Sequence, residues 1–215
     1  SYFSNGIYIT DNHPNFIAIG NGVVQGSSNG SIGIGTNANA NGGNSTAIGS
    51  SAKANQSSTI AIGFTANANG TESIAIGNSA FANKTKSIAI GFSANANKPS
   101  SIAIGDDANA KYDFNIAIGC NANANGSFKS IAIGYKSLAK GFGTIAFGSQ
   151  TNSIGDYSII LGGNVYVGGD YTIALGDRVN ANGSNSTAIG RLSNAVGDNS
   201  TVIGIRTEAI GENSI

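Results

Sequence analysis

Along most of this chain the apolar residues fall into one short phrase. Ile-Ala-Ile-Gly, or a close variant, ends at Gly20, Gly35, Gly49, Gly63, Gly77, Gly91, Gly105, Gly119, Gly134, Gly148, Gly162, Gly176, Gly190 and Gly204. Eleven of the 13 intervals are 14 residues, and the two others, Gly20–Gly35 and Gly119–Gly134, are 15. Counted back from the glycine, position −3 is Ile or Thr, −2 is mostly Ala and −1 is mostly Ile. This large–small–large alternation over β-branched residues predicts a strand. After the glycine, +3 and +5 are usually Ala with Asn between them, as in Ala66-Asn67-Ala68, which predicts a second short strand. Each segment spans about five residues between glycines, too short for a helix.

A near-fixed period of this kind means stacked units, a solenoid of parallel strands with one rung per repeat. The large residues at −3 and −1 are expected inside the coil, with the Ala pair at +3 and +5 filling the opposite wall. Position −2 then faces outward. It is never polar, so the expectation is that Ala47, Ala61, Ala75, Ala89, Ala103, Ala117, Ala132 and Ala146 form a stripe covered by another copy of the chain. The +4 column, mostly Asn, is expected to face water. Residues 1–14 precede the repeat and read as a capping segment, with weak alternation at Ile7, Tyr8 and Ile9; residues 15–215 form the repeat region.

Composition narrows the function classes. Gly (32), Ala (29), Ile (29), Asn (29) and Ser (27) make up about two-thirds of the 215 residues, while charged residues are 10% with 11 basic against 11 acidic. A neutral chain has no overall footprint for nucleic acid or an anionic membrane. One Cys cannot form an intrachain disulfide, and one His with scattered acids offers no metal set and no catalytic constellation, so no cofactor and no enzymatic activity are expected. No apolar run reaches the ~18 residues of a spanning helix. Asp106-Asp107 is a local pair in a turn, Cys120 reads as a quiet small residue, and sequons such as Asn69-Gly70-Thr71 are by-products of the repeat.

Repeats such as Ser73-Ile74-Ala75-Ile76-Gly77-Asn78-Ser79-Ala80 and Ser87-Ile88-Ala89-Ile90-Gly91-Phe92-Ser93-Ala94 resemble the head repeats of YadA-like trimeric autotransporter adhesins. The resemblance covers roughly residues 15–213. It implies an all-β, left-handed parallel β-roll of about 14 coils, assembled as a homotrimer. It also implies display on the cell surface, above the outer membrane of a Gram-negative bacterium. The coiled-coil stalk and membrane anchor of the family have no counterpart in these residues, so the chain reads as a head without direct membrane contact. Implied partners are host proteins: collagen, fibronectin, laminin or a CEACAM-type receptor. The Asn, Lys and Ile bias fits an AT-rich genome such as a fusobacterium's, where CEACAM-binding heads of this family occur.

On a repetitive surface, specificity comes from departures from the repeat. Phe81, Leu138 and Tyr166 interrupt the outward Asn column, and the loops carry Tyr112, Phe114, Phe128, Phe142, Tyr157 and Tyr171. Aromatic residues are favoured anchors at interfaces. The candidate partner-binding set is therefore Phe81, Leu138, Tyr166, Tyr112, Phe114, Phe128 and Phe142, with the extra residue near Ser127–Lys129 in the same stretch. Two other readings compete: a spacer that lifts another domain, and an ice-binding solenoid, disfavoured because its Thr residues are irregular. Neutral charge argues against heparin-like glycans.

Overall fold

The computed structural model describes residues 2–3, 7–8, 16–25 and 30–215. The chain divides into two compact units, Ser1–Asp107 and Ala108–Ile215. Each is an all-β parallel solenoid with the 14-residue period, built from alternating three-residue and two-residue strands, two of the former extended to five residues. Among the described residues each unit holds seven of the longer strands, Ile-Ala-Ile or a variant of it. Register carries like onto like: Ile74, Ala75 and Ile76 pair with Ile88, Ala89 and Ile90 in the first unit. Ile131, Ala132 and Ile133 pair with Ile145, Ala146 and Phe147 in the second.

At the N-terminal end, Tyr2–Phe3 pairs antiparallel with Ile7–Tyr8, which pairs antiparallel with Ile17–Ile19. The rest of the expected capping segment, His13 included, lies outside the described residues. Phe16 is buried at the position that Ser or Thr fills in nearly all later copies.

The strand-one parity is the reverse of the expectation. Ala47, Ala61, Ala75, Ala89, Ala103, Ala117, Ala132 and Ala146 are all 0% exposed within the single chain and point into the coil. They cannot be the surface on which another copy sits. The isoleucines at −3 and −1 face outward, most of them half-buried, and several residues in these columns are exposed, such as Ile159 at 42% and Leu161 at 49%. Position −4, a column of Ser and Thr, is buried beside the alanines.

The reason is the thinness of the coil. A Cβ placed on Gly33, at an inward −2 position, would sit 2.6 Å from Val23 Cγ1 and 3.9 Å from Ala40 Cβ on the facing strand. Even one methyl group there meets the facing wall at or inside van der Waals contact, so a run of facing isoleucines has no room. Ala at +3 and +5 is buried, as expected. The second unit tolerates a few larger interior residues, a cluster around Ile160, Val165, Val167, Val179 and Val202.

Two corners close each coil, each on a residue in the left-handed region: in one copy Ser79 (φ 58°) and Lys86 (φ 59°). The repeat glycines allow the stacked backbones to approach. Gly91 has φ 135°, and a Cβ there would lie 2.3 Å from Gly105 O. No L-residue fits that position without shifting the neighbouring rung.

Some members of the buried hydroxyl column bond to backbone carbonyls, while Ser45, Ser73, Ser186 and Ser200 have no partner for their hydroxyls. Ser31 Oγ donates to Gly42 O at 2.8 Å, and Thr144 Oγ1 donates to Ser158 O at 2.8 Å. At Asn115 the column changes chemistry, and it does so one rung before the 15-residue interval. Asn115 Nδ2 donates to Ala124 O at 2.9 Å and Gly126 O at 2.8 Å, while its Oδ1 accepts from Ser130 N–H at 3.0 Å. The longer carboxamide bridges the loop that carries the extra residue. Asn115→Ala is expected to lower stability by about 3 kcal/mol, since buried backbone groups lose partners at roughly 1–3 kcal/mol each. Denaturant unfolding of the two proteins, with Asn115→Ser as the milder variant, checks it.

Candidate binding surface

The outward face of the two-residue strands carries the Asn column and its interruptions. Phe81 lies half-buried between Asn67 and Asn95 in the first unit. In the second, Leu138 pairs with Asn123 and Asn152, and Tyr166 with Asn152 and Asn180. Leu138 and Tyr166 thus flank Asn152 on one face, two rungs apart, with Tyr166 39% exposed. They are isolated apolar residues in a polar lattice, which singly need no explanation.

The corner that leads into the three-residue strand is different. In successive copies of the second unit it is closed by Phe114, Lys129, Gly143, Tyr157 and Tyr171, all with φ between 51° and 60°. Backbone bonds lock each corner onto the one before: Gly143 N–H to Phe128 O at 3.0 Å, Tyr157 N–H to Phe142 O at 2.8 Å, and Tyr171 N–H to Asp156 O at 2.8 Å. Rings held at one-rung spacing, about 4.8 Å, have to touch.

They form a continuous ladder. Phe114 and Phe128 meet edge to face at 5.4 Å between centroids, Phe128 and Phe142 stack at 5.9 Å, Phe142 and Tyr157 meet at 5.2 Å, and Tyr157 and Tyr171 stack at 5.2 Å. Such pairs contribute roughly 0.5–1.5 kcal/mol each beyond burial. Two carboxylates hold the backbone behind them. Asp156 Oδ1 accepts from Phe142 N–H at 2.7 Å, and Asp170 Oδ1 accepts from Asp156 N–H at 2.8 Å. Lys129 Nζ lies 5.0 Å from the Phe128 ring. Phe114, Tyr157 and Tyr171 are exposed, Tyr171 at 61%.

Of the sequence candidates, the structure brings Phe114, Phe128 and Phe142 together. It leaves Leu138 and Tyr166 on the Asn face, and Phe81 in the other unit. Tyr112 is half-buried, with Lys111 Nζ 5.5 Å from its ring, and is not one of the ladder's ring pairs. Tyr157 and Tyr171 complete the ladder although the candidate set omitted them. Their signal was the spacing 114, 128, 142, 157 and 171, which follows the repeat.

The other chemistry is sparse. Among the described residues there is no group of three or more His, Cys, Asp or Glu able to hold a metal ion, and no helix long and apolar enough to cross a membrane. Cys120 is half-buried and free, with Asn121 Nδ2 donating to its Sγ at 3.1 Å.

A parallel β-solenoid with buried small side chains and surface departures at its corners is a repetitive structural scaffold. The YadA head domain repeat matches at residues 27–52, 54–80, 82–108, 116–137, 139–164, 168–193, 181–207 and 195–215. The chain therefore belongs to the YadA head family, an adhesin family and not an enzymatic one. No curated protein matches it.

Proposed function

We propose that this chain is the adhesive head of a trimeric surface adhesin of a Gram-negative bacterium, and that it binds a host protein along the aromatic ladder of its second unit. The observation that carries this reading is the ladder itself: five contacting rings, three of them exposed. A spacer has no use for such a row, because any small polar residue closes the same corner, as Asn185 and Asn199 do two and three copies from Tyr157. The rest of the reading is a left-handed roll with three copies joined through their outward isoleucine columns, which are apolar and uncovered in the single chain. A line of aromatic rings suits a receptor with a hydrophobic face, so a CEACAM-type ectodomain is favoured over collagen, fibronectin and laminin.

The test is binding of the purified protein to the four ligands immobilised side by side, after its mass is shown to be three times 21.4 kDa. Saturable binding to one of them is the expected result. Silence across all four in a well-formed trimer removes the adhesive reading and leaves the spacer.

A further inference from the structure

The neutral charge of the chain conceals an uneven distribution. Its eight Lys are scattered through residues 53–140, but its three Arg, Arg178, Arg191 and Arg206, fall in three successive copies of one turn. That turn follows the repeat glycine, at the corner between the three-residue and two-residue strands: Gly176-Asp177-Arg178, Gly190-Arg191-Leu192 and Gly204-Ile205-Arg206. The backbone stacks these corners directly. Leu192 N–H donates to Asp177 O at 2.9 Å, and Arg206 N–H donates to Arg191 O at 3.0 Å.

Arg178 and Arg206 share one column, each in the left-handed region with φ 53° and 56°. They lie two rungs apart, about 10 Å on strand spacing. Arg191 sits in the adjoining column on the rung between them. All three are exposed. One carboxylate faces them: Asp177 Oδ2 accepts from Arg191 Nε at 3.4 Å. Among the described residues no carboxylate lies within 4.0 Å of the Arg178 or Arg206 guanidinium.

Three cations against one carboxylate leave a local excess of positive charge on this corner, which attracts an anion. The residue type adds chemistry. Guanidinium presents a planar fork of donors that matches sulfate and carboxylate oxygens two at a time, and it is more weakly hydrated than the ammonium used elsewhere in this chain. The rung spacing sets the guanidinium groups along a line rather than around a point. A single small anion reaches one or two of them; an extended polymer with an anionic group on its sugars reaches all three.

We propose that this corner binds a polyanionic glycan, carrying sulfate or carboxylate groups along its chain, laid across the rungs at Arg178, Arg191 and Arg206. Asp177 orients Arg191 within the site. The surface is separate in chain position and in chemistry from the aromatic ladder, which ends at Tyr171.

Heparin immobilised on a sensor surface is the probe, with the fully desulfated polymer and a DNA duplex of equal charge as comparisons. The intact chain is expected to bind heparin saturably at about 0.15 M salt, where long-range charge attraction is already screened beyond roughly 8 Å. Arg178→Ser/Arg191→Ser/Arg206→Ser is expected to lose affinity by about a hundredfold or more, at roughly 1 kcal/mol or more for each charged contact. Phe128→Ala/Phe142→Ala binds heparin as the parent does. Desulfated polymer and DNA bind at least about tenfold more weakly, a margin of some 1.4 kcal/mol. Absence of heparin binding overturns the proposal. So does undiminished binding by the triple variant in a protein with unchanged circular dichroism. Equal affinity for the DNA also overturns it, because it reduces the corner to indiscriminate charge.

Discussion

In the proposed trimer, Ile131→Asp/Ile145→Asp is expected to turn a particle of three times 21.4 kDa into one of 21.4 kDa without unfolding it. Both side chains point outward from adjacent strands that pair with each other. Neither takes part in filling the coil, which is packed by Ala132, Ala146 and their hydroxyl neighbours Ser130 and Thr144. In a single chain in water an aspartate there is a half-solvated group with little to lose. Between copies it is a charge taken out of water without a partner, a cost of several kcal/mol each. The same substitution at Ala132 or Ala146 has the opposite profile, because it puts charge into an interior with 0% exposure. Light scattering and circular dichroism separate the two outcomes. Dissociation with retained β signal for the isoleucine pair assigns the interface to the outward columns. A particle that stays at full mass removes those columns from the interface.

The contrast between those two pairs shows where the sequence was legible. Strand positions, period and register could be read from Ile-Ala-Ile-Gly alone, because like residues stack on like at a fixed interval. Which face was inside could not be read by the usual weighting, in which the larger apolar residues define the core. That weighting fails in a coil whose walls are one methyl contact apart. The signal that would have found the right parity is a seven-residue half-repeat. Ser73 and Ala75 precede Gly77 as Ala80 and Ala82 precede Lys84, and the left-handed corners at Ser79 and Lys86 are also seven residues apart. Positions small in both halves are the interior. Ile160 and Val202, the two large residues at position −2, are interior side chains of the second unit.

The ladder was half legible for a related reason. Each ring was visible as a loop aromatic, but only the pairing of successive corners turns five loop residues into one row. Phe128 and Phe142 stand one residue before the left-handed position that Phe114, Tyr157 and Tyr171 occupy. The reach of the side chains absorbs that offset, and centroid distances stay between 5.2 and 5.9 Å.

Phe128→Ala/Phe142→Ala/Tyr157→Ala is expected to weaken binding of the host ligand by about a hundredfold or more, since central aromatic anchors at interfaces cost 2 kcal/mol or more each when truncated. Mass and thermal unfolding are the necessary companions. The corners are held by backbone bonds and by Asp156 and Asp170, so the coil keeps its closure when the rings are gone. Loss of ring–ring contacts alone removes only about 0.5–1.5 kcal/mol per pair. Phe81→Ala and Leu138→Ala/Tyr166→Ala serve as comparisons on the Asn face. If those variants lose the ligand while the ladder variant keeps it, the contact surface belongs to the outward face of the two-residue strands. If the ladder variant falls to 21.4 kDa, the rings join copies of the chain and do not meet the host. A ladder variant that stays trimeric and loses the ligand assigns the row to recognition. Its regular geometry then has a clear consequence. The ligand meets five rings already fixed in one line, so little side-chain freedom is left to lose on binding, and preorganisation rather than area sets the affinity.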